Sequence, residues 1–215
     1  IKSVLANYYG RVTWGQHVAD WGAMTVLDEA AFCNGGPDHR STFEDDRWRV
    51  YDYTLVRDIN QFLKGVRETT ALTTDEKTPL EGEARFLRAW YYFNVCRSLG
   101  GMPIVGDEIF DYQPGMDVTT MQYPRSTEAA TYDYVISECQ AVYSMLPADK
   151  QINSARANKW AARMLEARAA LYAASIANYN NKMAQPIRTD GGEVGIPADK
   201  ASGYYQMALA AAEDV

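Results

Sequence analysis

Hydrophobic residues recur along this chain at spacings of three and four, the pattern that predicts helices with a buried face. The best-defined segment is 81–99, which carries two such stripes instead of one. Two stripes predict burial on two sides, as in a helix at the centre of a stack. The first stripe contains Ala84, Leu87, Tyr91, Val95 and Leu99, and the second contains Phe86, Trp90 and Phe93.

Both ends of this helix carry recognisable signals. Thr78 and Glu81 have the spacing of a capping box, and Pro79 fits the first helical position because it has no N–H to leave unpaired. At the other end, Gly100 can adopt the left-handed conformation that closes a helix, and Pro103 prevents the helix from resuming.

A second helix is predicted from 44 to 66, with one apolar face. The linker 67–77 is short enough only for an antiparallel turn, so a helical hairpin is expected at about 44–99. Residues 1–24 show a looser helical pattern that is interrupted by glycines.

The second half repeats this organisation. Ser126 is predicted to cap a helix that ends near 146, and Ser154 to cap the next helix, which ends near 178. These two helices form a second hairpin at about 126–178, and a further helix is expected from 199 onward.

Three segments rich in glycine, proline and asparagine separate or interrupt these helices and are predicted to be long loops: 28–42, 103–125 and 178–198. Loops held on a rigid scaffold are common binding surfaces.

An internal repeat relates the two hairpins. Tyr-Asp-Tyr occurs at 51–53 and again at 132–134, and the alanine-flanked segment 84–89 recurs at 162–167. Helix pairs with small residues at fixed positions resemble tetratricopeptide repeats, in which small side chains let neighbouring helices approach closely. We therefore expect an all-α fold of tetratricopeptide-like hairpins, an α-α superhelix with long inserted loops.

Composition narrows the range of partners. The net charge is −7, from 21 basic and 28 acidic residues, which argues against nucleic acid as the main partner because phosphate binding needs clustered Lys and Arg. Tyr at 15 outnumbers Phe at 6, which suits rings that pack on one side and stay hydrated on the other. A neutral or polar ligand therefore fits the composition better than nucleic acid does.

Enzyme signatures are nearly absent. The two histidines, His17 and His39, belong to no metalloprotease motif, and neither a nucleophile elbow nor a phosphate-binding glycine loop is present. Adjacent carboxylates such as Asp45 and Asp46 do not face each other on a helix, so they read as a solvated helix start. The prediction is that the chain is not an enzyme, with no catalytic residue, no metal site and no cofactor.

The three cysteines, Cys33, Cys96 and Cys139, are odd in number and far apart, so the sequence predicts neither a disulfide framework nor a zinc site. Cys96 and Cys139 lie inside predicted helices, where we expect them to be small buried residues.

Loop aromatic residues are the candidate binding chemistry, because the apolar face of a sugar stacks on a ring while polar side chains bind its hydroxyls. The predicted ligand-binding residues are Asn34, Asp38, His39 and Trp48, and the further aromatic candidates are Trp14, Trp21 and Tyr112. Packing is the competing interpretation for each ring, most strongly for Trp48, which is in register with the apolar face of its helix.

Three arginines, Arg85, Arg88 and Arg97, share the helix 81–99 with its aromatic stripes. We expect their aliphatic stems to cover apolar surface and their guanidinium groups to reach solvent, paired with Glu81 or Glu83.

Residues 82–93, which read Gly-Glu-Ala-Arg-Phe-Leu-Arg-Ala-Trp-Tyr-Tyr-Phe, are followed at 99–105 by Leu-Gly-Gly-Met-Pro-Ile-Val. This pair of motifs resembles the signature of the SusD/RagB family, the surface glycan-binding lipoproteins of Bacteroidetes. Segments 155–162 with 169–172, and 200–208, resemble the family's later helices. The resemblance extends over essentially the whole chain.

This resemblance implies an amino-terminal domain, 1–215, of a family fold about twice as long or longer, whose carboxy-terminal part is absent here. It implies binding of an oligosaccharide or other nutrient at the extracellular face of the outer membrane, and delivery to a SusC-like TonB-dependent transporter. Membrane attachment would be only through a lipid anchor that this chain does not contain. No catalysis is implied.

Two other functions compete with this one. The repeats alone also suit a tetratricopeptide-type scaffold that binds a protein or peptide and no sugar. An all-helical glycosidase would require two carboxylates that converge across a cleft.

Overall fold

The structure is a computed structural model that describes residues 1–12, 51–149 and 155–215. Within these ranges the regular structure is helical, with no strand. The helices are α1 (Lys2–Arg11), α2 (Tyr53–Glu68), α3 (Thr74–Leu99), α4 (Glu128–Val142), α5 (Lys159–Asn180) and α6 (Ala201–Glu213). Short 3-10 turns occupy Val118–Met121 and Ala198–Lys200. The predicted all-α fold class is confirmed.

The start of α2 differs from the prediction of a helix from 44. Of the described residues, Tyr51 and Asp52 are not helical, and α2 begins at Tyr53. Asp52 caps the helix, because its Oδ1 accepts a hydrogen bond from the Leu55 N–H at 3.0 Å. An Asp cap satisfies an otherwise unpaired amide of the first turn and so fixes the boundary. Apolar spacing alone did not reveal it.

The start of α3 also differs from the prediction. The capping box is formed by Thr73 and Glu76, whose Oε2 accepts from the Thr73 N–H at 2.9 Å, and not by Thr78 and Glu81. Thr78 lies inside the helix and donates through its hydroxyl to the Thr74 carbonyl at 2.9 Å. Pro79 is tolerated within the early turns, where it costs one backbone hydrogen bond. The predicted end at Gly100 is confirmed, with φ of 79°.

The N-caps of α4 and α5 also lie later in the sequence than predicted. Thr127, and not Ser126, caps α4 by accepting from the Ala130 N–H at 3.0 Å. Asn158 caps α5 by accepting from the Ala161 N–H at 2.9 Å. Ser154, the predicted cap of α5, lies outside the described residues. Where several capping residues are adjacent in sequence, packing of the helix decides which one is used.

Helices α2 and α3 form an antiparallel hairpin. At one end Arg67 donates to Glu81, with 2.7 Å between Nη2 and Oε1. At the other end the Asp52 N–H donates to the Tyr91 hydroxyl at 2.9 Å. The residue numbers of the contacting pairs therefore run in opposite directions along the two helices.

The second half is built in the same way. Between α3 and α4, Arg85 contacts Glu138 at 2.6 Å, and the rings of Tyr92 and Tyr134 lie 5.0 Å apart. Helix α5 then packs on both α4 and α6. Each helix thus contacts its predecessor and its successor, the arrangement of an α-α superhelix.

Helix α3 lies at the centre of the core, in contact with α1, α2, α4 and α5. Both of its apolar stripes are largely buried, with Trp90 and Leu99 only partly so. Alanines let the neighbouring helices approach closely, since a methyl group adds little bulk. The buried alanines of α3 and α5 are Ala84, Ala89, Ala162, Ala167, Ala169, Ala170, Ala173, Ala174 and Ala177.

The two sequence repeats have different structural meanings. The alanine-flanked segments lie within α3 and α5, and their flanking alanines are buried. The Tyr-Asp-Tyr repeat does not, because Asp52 caps α2 whereas Asp133 lies within α4 and accepts from the Tyr204 hydroxyl at 2.6 Å. This repeat is therefore a similarity of sequence only.

Candidate functional site

The predicted loop 103–125, which we call the excursion loop, leaves the end of α3 through two glycines. A Cβ on Gly100 would collide with the Glu193 carbonyl, and one on Gly101 would collide with the Ser126 carbonyl. Gly100 also has a positive φ, which other residues rarely adopt. The two glycines therefore allow α3, the start of α4 and the loop before α6 to meet at one point.

The base of the excursion loop is held by Arg88, which is only 2% exposed. Its Nη1 donates to Asp107 Oδ1 at 2.6 Å, to the Gly106 carbonyl at 2.9 Å and to Asn60 Oδ1 at 2.6 Å. Its Nη2 donates to Glu138 Oε2 at 3.1 Å. One buried guanidinium thus connects α2, α3, α4 and the loop.

Two tyrosines fix the segment just before this base. The hydroxyls of Tyr53 and Tyr92 both donate to the Pro103 carbonyl, at 2.8 and 3.1 Å. The Tyr92 hydroxyl in turn accepts from the Val105 N–H at 3.2 Å. Side chains of α2 and α3 therefore hold the start of the loop in place.

The distal part of the excursion loop exposes aromatic and apolar side chains. Tyr112 is 60% exposed and Tyr123 is 38% exposed. The ring of Phe110 packs edge-on against Tyr123, with 5.5 Å between centroids. Met116 and Val118 are also exposed. A rigidly seated loop with exposed tyrosine rings can stack against the apolar face of a ligand while the hydroxyls stay hydrated.

The pKa values of two carboxyl groups, Asp107 in the excursion loop and Glu128 at the start of α4, are shifted in opposite directions. Burial raises the pKa of Asp107, but its hydrogen bonds and charge interactions with Arg67 and Arg88 outweigh burial and lower it. Burial raises the pKa of Glu128, against the opposing effect of the hydrogen bond it accepts from the Gly195 N–H. The charged form of Asp107 is therefore stabilised, whereas the charged form of Glu128 is destabilised.

A second surface feature, which we call the apolar groove, lies against α5 and α6 and has a volume of about 1250 Å³. Phe86 of α3 contributes to its lining, and Arg168 lies on its wall. The side chains that make it apolar and also reach solvent are Met164, Leu171 and Leu209, each about half exposed.

The ligand-binding residues predicted from sequence, Asn34, Asp38, His39 and Trp48, lie outside the described residues. So do the aromatic candidates Trp14 and Trp21 and the predicted loop 28–42. Tyr112, the remaining aromatic candidate, lies on the excursion loop and is exposed.

The expectation for the arginines of α3 is wrong for Arg88. Its guanidinium does not reach solvent, and its partners are Asp107 and Glu138 instead of Glu81 or Glu83. Arg85 pairs mainly with Glu138 as well, at 2.6 Å, and only distantly with Glu81, at 4.0 Å. The partners lie on α4 and on the excursion loop, which the spacing within one helix cannot identify.

Sequence reasoning also missed Asn60, which is 2% exposed. Its amide nitrogen donates to the carbonyls of Gly106 and Glu108, at 3.0 and 2.8 Å. The sequence does contain a sign of this role, because Asn60 is a polar residue on the buried stripe of α2, beside Ile59 and Leu63. A polar residue in such a stripe needs a buried partner.

Cys96 and Cys139 are free and buried, as predicted. In the described part of the chain, His, Cys, Asp and Glu side chains form no cluster of three that could hold a metal ion. No described helix has the length and apolar character needed to cross a membrane.

Comparison with known proteins places these features in context. A family model named SusD-like and described as "Starch-binding associating with outer membrane" matches residues 15–171. A solved SusD-like protein from Bacteroides fragilis is 29% identical with a TM-score of 0.51, and the match covers 67% of this chain and 28% of that one. A search of curated proteins found no match.

Two further structures show the same fold at lower identity. A SusD homolog from Bacteroides thetaiotaomicron is 17% identical with a TM-score of 0.54, covering 78% of this chain and 30% of that one. A SusD-like carbohydrate binding protein from Bacteroides fragilis is 22% identical with a TM-score of 0.50, covering 64% and 26%. The chain thus spans less than a third of each of these proteins.

Proposed function

Because this chain belongs to the SusD-like family, we propose that it is the amino-terminal helical domain of a surface protein that binds oligosaccharides and delivers them to a SusC-like TonB-dependent transporter. The observation that carries the proposal is the family match over residues 15–171, more than half of the chain. The lengths of the solved relatives support the view that 1–215 is one part of a longer fold.

In this proposal the helices are the scaffold and the loops hold the ligand. The excursion loop supplies exposed tyrosine rings on a base fixed by Arg88, and Tyr112 is its most exposed aromatic residue. Asn34, Asp38 and His39 would donate or accept hydrogen bonds with sugar hydroxyls, and Trp48 would stack. Ring stacking and a few hydrogen bonds in an open site give weak, reversible binding, which suits a protein that passes its ligand onward.

The location follows from the same proposal. The protein would stand on the extracellular face of the outer membrane, held by a lipid anchor in the full-length protein. Family members are described as associating with the outer membrane, which supports this placement. The surface that contacts the transporter would come from the helical repeats.

Isothermal titration of the full-length protein against a panel of neutral oligosaccharides and peptides tests the function. We expect saturable binding of at least one oligosaccharide. The variants Tyr112→Ala and Trp48→Ala should each weaken it by about tenfold or more, as expected when a stacking ring is removed. Tyr179→Ala is the matched control, because Tyr179 is 59% exposed but lies at the end of α5.

The outcomes separate the competing functions. Binding of no sugar in the panel would overturn the proposal. Saturable binding of an extended peptide that survives deletion of 28–42 would favour the tetratricopeptide-type scaffold. Turnover of an oligosaccharide by the purified protein would favour a glycosidase.

A further inference from the structure

A further pocket, which we call the polar pocket, lies where the end of α5 meets the start of α6. Its volume of about 640 Å³ falls in the range of about 300–1,000 Å³ that is typical of small-molecule sites. The polar side chains of its lining are Asn178 of α5, Asp199 of the 3-10 turn before α6, and Ser202, Tyr205 and Gln206 of α6. Three segments of the chain thus bring hydrogen-bonding groups to one concave surface.

Asn178 and Tyr205 are held in place by a hydrogen bond between α5 and α6. The Asn178 Nδ2 donates to the Tyr205 hydroxyl at 3.3 Å, and the Tyr205 ring is partly buried against the core. Since the hydroxyl accepts this bond, its own proton can be donated to a ligand, and the amide oxygen of Asn178 can accept a proton from one. This pair therefore presents one donor and one acceptor in a fixed arrangement.

The side chains of Asp199, Ser202 and Gln206 are exposed and remain available for a ligand. Lys200, which follows Asp199 in sequence, pairs with Asp133 of α4 at 3.6 Å and not with Asp199. In the part of the chain that the structure describes, no side-chain hydrogen bond or ion pair involves Asp199, Ser202 or Gln206. A carboxylate accepts hydrogen bonds, whereas a hydroxyl and an amide both donate and accept. Sugar hydroxyl groups also donate and accept, so they can pair with all three side chains.

The rest of the lining gives the pocket a small apolar surface. Ala198 and Ala201 have short side chains, and Leu209 is 60% exposed. Leu209 and the Tyr205 ring can contact the apolar C–H face of a sugar while the polar side chains bind its hydroxyl groups. Asp199 is the charged residue of the lining, and its negative charge disfavours an acidic sugar. The lining therefore fits a neutral oligosaccharide.

A polar pocket of this kind gains little from being covered by another protein segment. Apolar protein surface placed over Asp199 and Gln206 would remove water from both side chains without replacing its hydrogen bonds, which is unfavourable. A sugar replaces that water with hydroxyl groups, so hydrogen bonds are exchanged instead of lost. The apolar groove has the opposite character, because alanine and leucine predominate in its lining. The polar pocket thus favours a sugar over a protein segment.

We propose that the polar pocket is a second binding site for a neutral oligosaccharide. One sugar ring lies against Tyr205 and Leu209, and its hydroxyl groups exchange hydrogen bonds with Asn178, Asp199 and Gln206. This site rests on the proposed function for the class of ligand, and it adds a second position outside the excursion loop. Two weak sites on one protein retain a long glycan better than either site alone, because release at one site leaves the glycan bound at the other.

Isothermal titration of the full-length protein with neutral trisaccharides tests the second site, using maltotriose, cellotriose, mannotriose and xylotriose. The background variant Trp48→Ala/Tyr112→Ala first removes the stacking rings of the proposed loop site. We expect at least one trisaccharide still to bind with saturation in this background. Adding Asp199→Ala and Gln206→Ala should weaken that binding by about tenfold or more, since two hydrogen-bonding groups are lost.

The matched control is Gln185→Ala/Asp190→Ala in the same background. Gln185 and Asp190 are exposed, lie in the loop before α6 and do not line the polar pocket. The control loses the same two types of side chain and the same charge, so its affinity for the trisaccharide should not change. Because Asp199 and Gln206 are also exposed, the pocket variant should stay folded, and circular dichroism checks this for both variants.

The outcomes distinguish the second site from the proposed function. If the wild type binds a trisaccharide and the background variant binds none, the proposed function stands and the second site is wrong. The second site is also wrong if Asp199→Ala/Gln206→Ala leaves the binding in the background variant unchanged. If the substitutions at Trp48 and Tyr112 change nothing while those in the pocket remove all binding, the polar pocket is the sugar site and the loop site is wrong. Binding of no trisaccharide by the wild type would overturn both.

Discussion

Arg88 Nη1 lies 2.6 Å from Oδ1 of Asp107, which joins a buried cation of the central helix to the base of the excursion loop. The same guanidinium contacts Glu138 of α4 at 3.1 Å. The position of a surface loop is therefore tied to the packing of three helices, and changes at Arg88 should affect both.

Replacing Arg88 by alanine should destabilise the protein strongly. The substitution removes the buried donors to Asn60 Oδ1 and Glu138 Oε2. Breaking a buried ion pair from one side costs about 3–5 kcal/mol. Urea denaturation measures the loss. Arg188→Ala, at an exposed position, should change the free energy of unfolding by less than about 0.5 kcal/mol. Equal effects of the two substitutions would show that the Arg88 contacts contribute no stability.

Gly101→Ala should prevent close packing at the exit of α3. The added Cβ would lie 2.6 Å from the Thr127 carbonyl carbon and 2.8 Å from the Glu128 nitrogen, both backbone atoms that cannot move aside cheaply. We expect a loss of about 2–3 kcal/mol. Gly203→Ala in α6 meets no atom within 4 Å and should instead stabilise the helix, by about 1 kcal/mol. Thermal unfolding of both variants tests this, and destabilisation by Gly203→Ala would contradict the account.

Glu128 should make the protein less stable as the pH rises. Burial raises its folded-state pKa above the unfolded value, so its contribution is fully present below the unfolded pKa and is lost as the pH rises through the folded pKa. Glu128→Gln should therefore gain stability relative to wild type between about pH 4 and pH 7. Urea denaturation at several pH values measures the difference, and a gain that shrinks with rising pH would be inconsistent with this sign.

Asp107 should show the opposite dependence. Despite burial, Arg67 and Arg88 lower its folded-state pKa, so its contribution is present above the unfolded pKa and is lost as the pH falls through the folded pKa. Asp107→Asn should cost stability at neutral pH, and this cost should shrink below about pH 4. The two carboxyl variants serve as controls for each other, because a general effect of acid would move both in the same direction.

Cys96 and Cys139 should resist thiol reagents in the native state. Both side chains are buried, and burial raises the pKa of each thiol, so little reactive thiolate is present at neutral pH. Maleimide labelling followed by peptide mass spectrometry should modify these two positions only in denaturant. Rapid native labelling at either one would show that α3 and α4 open readily.

Much of the fold was predictable because its signals are local. The stripes of α3, the glycines and proline that end it, and the alanine-flanked segments of α3 and α5 all act within one or two helical turns. They identified the all-α fold class and the end of α3 at Gly100. The starts of α2, α3, α4 and α5 were predicted less well, since adjacent capping residues offer nearly equivalent choices and packing selects one.

The sequence by itself determined that this protein is a helical repeat protein of the SusD-like family. Only the tertiary structure decided the partners of its buried charges. Asp107 and Glu138 are 19 and 50 residues from Arg88 in sequence, yet both contact its guanidinium. Likewise, the approach of Arg168 of α5 to the Phe93 ring of α3 requires these two helices to pack side by side. The physical reason is that helix periodicity depends on near neighbours in sequence, whereas ion pairs depend on where distant segments fold back together.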